Sequence, residues 1–225
     1  MKIERIICGG LQANFYIVYE KEGASAWVVD PGYEPQKYVK TINELNLSVQ
    51  GILLTHYHSD HAKGAAKLRD ELSCPILIHA ADAPFLKYDV DTDLYGGEVL
   101  KLENSDLTIE VLHTPGHTPG GVCFYSDKHK KAITGDTIFN VDLGRTDFPG
   151  GSDEEMRNSL VNIIDKWPND VMIYPGHGDP ATMKFVREAN EEFFRNYKVI
   201  RVIQWQGVIA LQKRWGFFST ITPCH

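Results

Sequence analysis

Three imidazoles and a carboxylate fall within the six residues His56-Tyr57-His58-Ser59-Asp60-His61, directly after the apolar run Gly51-Ile52-Leu53-Leu54 and Thr55. A short apolar run bounded by turn signals reads as a buried strand. The polar groups are therefore presented at the strand's end. His56 and His58 share one parity, as residues i and i+2 of a strand do. Asp60 and His61 fall on the turn beyond. Imidazole is the commonest metal ligand and aspartate adds a hard anionic oxygen. The natural division is two ligands for one cation and two for its neighbour. A histidine-rich surface loop is the bland alternative, but the chain holds only 9 histidines in 225 residues. Chance clustering of this kind is rare at that frequency.

Two ligands do not complete a tetrahedral or five-coordinate site. Three later residues are candidates for the rest. They are His117 in Thr114-Pro115-Gly116-His117-Thr118, Asp136 in Thr134-Gly135-Asp136-Thr137, and His177 in Tyr174-Pro175-Gly176-His177-Gly178. Each follows a strand-like stretch, and the Gly and Pro before it let the backbone turn sharply. His113 continues the apolar parity of Leu107, Ile109 and Val111, which predicts a buried, hydrogen-bonded histidine. His79, His129 and His225 have no partner by spacing and read as structural or exposed.

Apolar runs predict strands over 3–8, 15–18, 26–29, 51–55, 75–78, 99–102, 107–112, 122–125, 132–134 and 171–174. Helical spacing predicts helices over 35–45, 64–72, 152–166 and 182–197, with Ser152 and Glu155 forming a capping box. Strand meanders with interspersed helices favour a layered α/β arrangement with two central sheets over a doubly wound parallel sheet.

Charge divides the chain unevenly. Residues 198–225 hold four bases and no acid, leaving 19 bases and 30 acids in residues 1–197, a net of −11 within an overall −7. We read 1–197 as one domain and 198–225 as an extension. The acidic body argues against nucleic-acid or anionic-membrane partners. No apolar run approaches the ~20 residues of a membrane span, and residues 1–5 lack a secretion signal. Cys8, Cys74, Cys123 and Cys224 form no CxxC pair, as expected of reduced thiols in a cytoplasmic protein. The apolar stretch 199–211 is a candidate surface for a homo-oligomer.

The HxHxDH motif with the three later ligands resembles the metallo-β-lactamase superfamily over nearly all of residues 1–197. That resemblance implies an αββα sandwich, two mixed β-sheets flanked by helices, with metals at one edge of both sheets. It implies that His56, His58 and His117 hold a first metal ion. Asp60, His61 and His177 would hold a second, and Asp136 would bridge the two. Asp136 stands where many metallo-β-lactamases carry Cys, which points to the dinuclear hydrolase branch. Residues 135–139 and 144–151 are similar to small glyoxalase II-like proteins of bacteria. Arg145 falls where that group has a basic residue for the glycine carboxylate of glutathione. Glyoxalase II carries a longer helical C-terminal region, for which this sequence reads as too short, and Gly178-Asp179-Pro180 follows His177 where that group has a glutathione-contacting Tyr nearby.

The implied cofactor is a pair of divalent ions, zinc first, with iron or manganese as alternatives. Such ions stand roughly 3.5–4 Å apart and bring a shared water to a pKa near 7. Asp60 and Asp136 would orient it toward the carbonyl of a small thioester or ester. A thiolate departs without a protein acid because a thiol pKa is ~8.5. Arg145 would hold an anionic part of the substrate, or else pair with Asp142 or Asp147. Two rival activities share the motif. One is a persulfide dioxygenase with a single iron on His56, His117 and Asp136, and the other is a lactonase. An RNA nuclease of this superfamily would need a basic docking face, which the acidic body does not suggest.

Overall fold

Strands that are apolar on both faces need cover on both sides, and that requirement sets the layers here. The computed structural model describes residues 1–193, so the extension 198–225, the boundary at 197 and the apolar stretch 199–211 lie outside the described residues. The first sheet runs in the order β1 (Lys2–Cys8), β2 (Ala13–Tyr19), β3 (Ser25–Val29), β4 (Ser48–Leu53), β5 (Ile76–His79), β6 (Thr92–Leu94). The second holds β7 (Val99–Lys101), β8 (Thr108–His113), β9 (Val122–Ser126), β10 (Lys131–Gly135), β11 (Met172–Pro175) and β12 (Ala181–Thr182), again side by side in chain order. Both sheets are mixed. β1, β2 and β3 pair antiparallel and β3 to β6 parallel, while the second sheet is antiparallel except for β10 with β11.

Side-chain alternation sorts the residues into three cores. Tyr16 and Val18 of β2, with Trp27 and Val29 of β3, face Val122 and Phe124 of β9 and Ile133 of β10 between the sheets. Their neighbours Phe15, Ile17, Ala26 and Val28 point outward. There they pack with Tyr38 and Ile42 of α1 (Pro35–Glu44), Ala62 of α2 (Ser59–Ala62), and Ala65 and Leu68 of α3 (Ala65–Leu72). On the far side, Cys123, Tyr125, Ala132 and Ile173 meet Met156 and Leu160 of α4 (Asp153–Asn162) and Met183 and Val186 of α5 (Met183–Ala189). Four layers result, helix, sheet, sheet and helix, as the sequence led us to expect.

The differences are local. The helix expected over 152–166 stops at Asn162, and residues 164–166 tighten into a 3-10 turn. Pro168 disfavours helical geometry at Trp167, and Trp167 is extended (ψ 140°). The helix expected over 182–197 breaks at Asn190, which turns extended (φ −86°, ψ 96°) and spends its side-chain amide on the carbonyls of Phe139 and Asp142, before residues 191–193 are helical again; residues 194–197 lie outside the described residues. The strands β6 and β12, of three and two residues, carry no apolar run to mark them, whereas β7, also three residues, is marked by Val99, Leu100 and Leu102. Ser152 caps α4 by accepting from Glu155 N–H at 3.2 Å. Ser152→Ala is expected to cost about 1 kcal/mol. A urea midpoint unchanged from wild type would show that this cap is silent.

Two backbone bonds stitch the sheets together at one edge. Val122 N–H donates to Thr55 O at 2.9 Å, and Asn14 N–H donates to Gly176 O at 2.7 Å. Every candidate ligand loop leaves a strand beside this seam.

Candidate metal centre

His56 to His61 follow the end of β4, and α2 is a single turn that carries Asp60 and His61. His117 sits in the turn after β8, Asp136 follows β10 and His177 follows β11. All seven side chains converge. His58 Nδ1 lies 2.8 Å from His117 Nε2, and His61 Nε2 lies 3.3 Å from His177 Nε2. Asp60 Oδ2 is 3.4 Å from His177 Nε2 and 3.7 Å from His61 Nε2. Asp136 stands between the groups. Its Oδ2 is 3.4 Å from His117 Nε2 and 3.6 Å from His177 Nε2, and its Oδ1 is 3.5 Å from His61 Nε2. Three trios fall out of this geometry: His56, His58 and His117; Asp60, His61 and His177; and Asp30, His56 and His61, the last drawing one ring from each of the other two and built on an aspartate that already accepts from Thr55.

These separations fit cations. A tetrahedral ion with bonds of 2.0–2.1 Å needs ligand atoms about 3.4 Å apart. His56 Nε2 and Asp136 Oδ1 are buried and find no hydrogen-bond partner among the described residues. Leaving such atoms unpaired costs about 1–3 kcal/mol each, a cost that a bound cation would remove.

The ring protonation follows from the neighbours. His117 Nδ1 can only donate to the carbonyl of Arg145 (2.6 Å), and His177 Nδ1 only to that of Leu11 (3.2 Å). His61 Nδ1 faces Asp30 Oδ2 at 3.0 Å. Thr55 gives its hydroxyl proton to the same carboxylate at 2.6 Å, so His56 Nδ1, 3.0 Å away, must donate to the Thr55 oxygen. Four imidazoles thus keep Nε2 for the centre, with the tautomer set by a second partner. His58 is the exception and turns Nδ1 inward.

Sequence reasoning missed two aspartates. Asp30, 1% exposed, also accepts from Thr55 N–H at 2.7 Å. It closes β3 as His56 follows β4, and these strands are neighbours. That adjacency was the only signal, and Asp30-Pro31-Gly32 reads as an ordinary turn. Asp82 is fully buried and ties two ligand loops together. It accepts from Tyr57 N–H at 3.1 Å, Thr118 Oγ1 at 2.8 Å and Gly120 N–H at 2.6 Å. Nothing in its local sequence marks it.

The remaining sequence-derived candidates lie apart from the cluster. Arg145 lines the cleft, but its guanidinium makes a two-pronged pair with Asp147 (2.9 and 2.7 Å) and lies over the Phe148 ring at 4.4 Å. Asp147, not Asp142, is thus its partner. His113 is hydrogen-bonded to Pro119 O at 2.9 Å but only half-buried, because β8 ends there at the sheet rim. It stacks on His79 at 4.0 Å, so His79 does have a partner. His225 lies outside the described residues.

Charge divides the centre. Burial and the neighbouring imidazoles push His56 well below the usual histidine value. The same causes, His117 foremost among the rings, take His58 down to about 4. Burial also opposes a charge on His61, yet Asp136, Asp30 and Asp60 outweigh it and raise that ring to about 9. Burial works against ionised Asp60 too, but the bond from His177 and the charge of His61 bring it to about 2. The metal-free protein therefore holds a proton on His61 at pH 7, and a cation must displace it. Zinc affinity at the Asp60 side is expected to weaken about tenfold for each pH unit below 9. Competition titrations with a chelator at pH 6.5 and 7.5 would measure this, and equal affinities would refute it.

The cluster opens into a cleft of about 650 Å³ lined by Leu11, Phe139, Leu143, Arg145, Phe148 and Pro149 beside the candidate ligands. Among the described residues no helix is long and apolar enough to cross a membrane. The sequence pattern of the metallo-beta-lactamase superfamily matches residues 8–177. Hydroxyacylglutathione hydrolase GloC of Haemophilus influenzae is 32% identical, across 84% of this chain and 97% of its own length. The crystal structure of the BLEG-1 B3 metallo-beta-lactamase superposes with a TM-score of 0.80 at 28% identity, covering 85% of this chain and 99% of that one. TTHA1623, solved in a di-iron-bound form, gives a TM-score of 0.67 at 31% identity over 83% of this chain and 98% of that one.

Proposed function

This chain belongs to the metallo-beta-lactamase superfamily, as a metal-dependent hydrolase, and from that premise we propose that it cleaves a small thioester such as an S-acylglutathione. The observation that carries the choice of thioester is the make-up of the cleft. Among the described residues, and apart from the candidate ligands, its lining offers no lysine, tyrosine, cysteine or further histidine to protonate a leaving group, Asp142 being the one additional acid. A thiolate can depart unaided, since a thiol pKa is ~8.5. An alkoxide is far more basic and gains more from an acid. The likeness to GloC supports the same substrate class, and the di-iron form of TTHA1623 supports a two-ion centre.

In this reading His56, His58 and His117 hold one divalent ion, Asp60, His61 and His177 hold another, and Asp136 is shared. Once bound, such ions supply Lewis acidity toward the carbonyl oxygen and bring a shared water to a pKa near 7. Asp60 and Asp136 would accept hydrogen bonds from the attacking water and orient it. Asp30 and Thr55 hold the rings of His61 and His56 against rotation. Arg145, on the cleft wall, exchanges its Asp147 contact for an anionic end of the thiol carrier; a guanidinium suits a carboxylate in two-pronged geometry. Zinc is the first expectation for the ion. The substrate class is small molecules, with neither nucleic acid nor membrane as partner. Cys8, Cys74 and Cys123 are free and buried, which supports a reducing, cytoplasmic setting.

The test is metal content beside turnover of S-lactoylglutathione, a lactone and glutathione persulfide on one preparation. About two equivalents of metal with thioester turnover is the expected result. One iron with oxygen uptake on the persulfide overturns the proposal, as does a lactone preference.

A further inference from the structure

A second recess, of about 320 Å³, adjoins the cleft at Ser59, which lines both. It is built rather than incidental. Tyr57 and Phe85 stack at 4.6 Å and 20° to form one wall. Tyr88 is pinned by its hydroxyl to Ala62 O at 2.6 Å. Tyr57 is pinned to Pro149 O at 3.2 Å, on the cleft side. Lys63 and Lys87 stand at the recess, both exposed. Lys63 Nζ lies 5.6 Å from the Tyr33 ring. Neither lysine forms an ion pair with a carboxylate among the described residues. Apolar walls with two unpaired ammonium groups select an alkyl stem that ends in an anion.

We propose that this recess takes the acyl arm of the substrate and favours an arm that ends in a carboxylate, as in the half-thioester of a dicarboxylic acid. The proposal rests on the thioester reading above. Volume assigns the arms. The recess sits at the lower limit of small-molecule pockets, which run from about 300 to 1,000 Å³, so it suits a short acyl chain. The cleft, twice as large, suits the bulkier thiol carrier beside Arg145. With the carbonyl at the metal cluster, the acyl arm would leave past Ser59 and the thiol carrier would lie in the cleft beside Arg145.

The experiment compares kcat/KM for S-hexanoylglutathione and S-adipoylglutathione, which differ by a terminal carboxylate on a six-carbon arm. Wild type is expected to favour the adipoyl substrate about tenfold. The Lys63→Met, Lys87→Met double variant is expected to bring that ratio to one or below, each variant being its own reference. Equal rates in wild type, or a ratio that survives the double substitution, would overturn the proposal. A calorimetric titration with the inert thioether S-(5-carboxypentyl)glutathione reads the recess without turnover. It should bind about tenfold more weakly to the double variant, and unchanged binding would count against the recess. Loss of all thioester turnover with this binding difference retained would instead place the failure on the hydrolytic reading.

Discussion

Asp136→Ala is expected to lower turnover at least about a thousandfold and to remove at least one metal equivalent, while the metal-free protein melts earlier than wild type at pH 7. The carboxylate stands 3.4–3.6 Å from nitrogens of the His117 and His177 trios, through Oδ2 toward His117 and His177 and through Oδ1 toward His61. Without it neither ion keeps its full set, and the attacking water loses one of its two orienting acceptors. Removing a group that organises charge in a reacting centre commonly costs 10²–10³ in rate, and loss of an ion adds to that. Stability falls too. Asp136 leads the carboxylates that keep His61 charged, and its Oδ1 lies 3.5 Å from that ring, so in the metal-free chain at pH 7 its loss removes a stabilising charge pair. Metal analysis, turnover and a melt of the chelated protein separate these effects. Two retained equivalents with activity within tenfold of wild type would refute the shared role.

The second large effect is on folding. Asp30→Ala is expected to cost the metal-free protein about 3–5 kcal/mol, the range for stripping one partner from a buried charged pair. Three donors converge on Asp30: His61 Nδ1, Thr55 Oγ1 and Thr55 N–H. Alanine would leave all three buried and unpaired, one of them on a ring that carries charge. Because the folded His61 value is raised to about 9, the stability from its charge is fully present below the unfolded value near 6.5 and fades as pH rises through 9. Urea unfolding at pH 7 therefore reads the effect at nearly full size. A loss below 1 kcal/mol would mean that water replaces the carboxylate. With metal present, zinc affinity should also fall some 10- to 100-fold, since His61 loses the group that orients it. Asp30→Asn should fall between the two, because one amide oxygen cannot serve all three donors.

A backbone detail shows how tightly the centre is built. A Cβ on Gly176 would collide with Asp136 Oδ1 and come within 2.7 Å of His61 Cε1. The glycine before His177 thus does more than permit a turn. It leaves room for the carboxylate between the His117 and His177 trios, which sequence spacing could not reveal.

Much of this protein was legible beforehand because its information is local. Alternation and apolar runs mark strands whichever neighbours they find, so most strands and the layered class could be read directly. His56, His58, Asp60 and His61 are close in sequence, and Gly and Pro flag the turns that carry His117, Asp136 and His177. Strands β6 and β12, and the residues that interrupt helices α4 and α5, escaped because a two- or three-residue strand without an apolar run leaves no pattern and the helix stops depend on contacts elsewhere.

What the chain determined alone, then, is the cast of chemical groups and the faces on which strands bury themselves, since both follow from residue type and spacing. Which nitrogen each imidazole turns inward was decided only by folding. So were the choice of Asp147 over Asp142 for Arg145 and the support from Asp30 and Asp82. Each depends on an acceptor whose position is set by sheet register and by loops packed at the seam. A hydrogen bond needs its partner near 3 Å, and only the assembled sheets bring residues 25 to 166 positions apart to that distance.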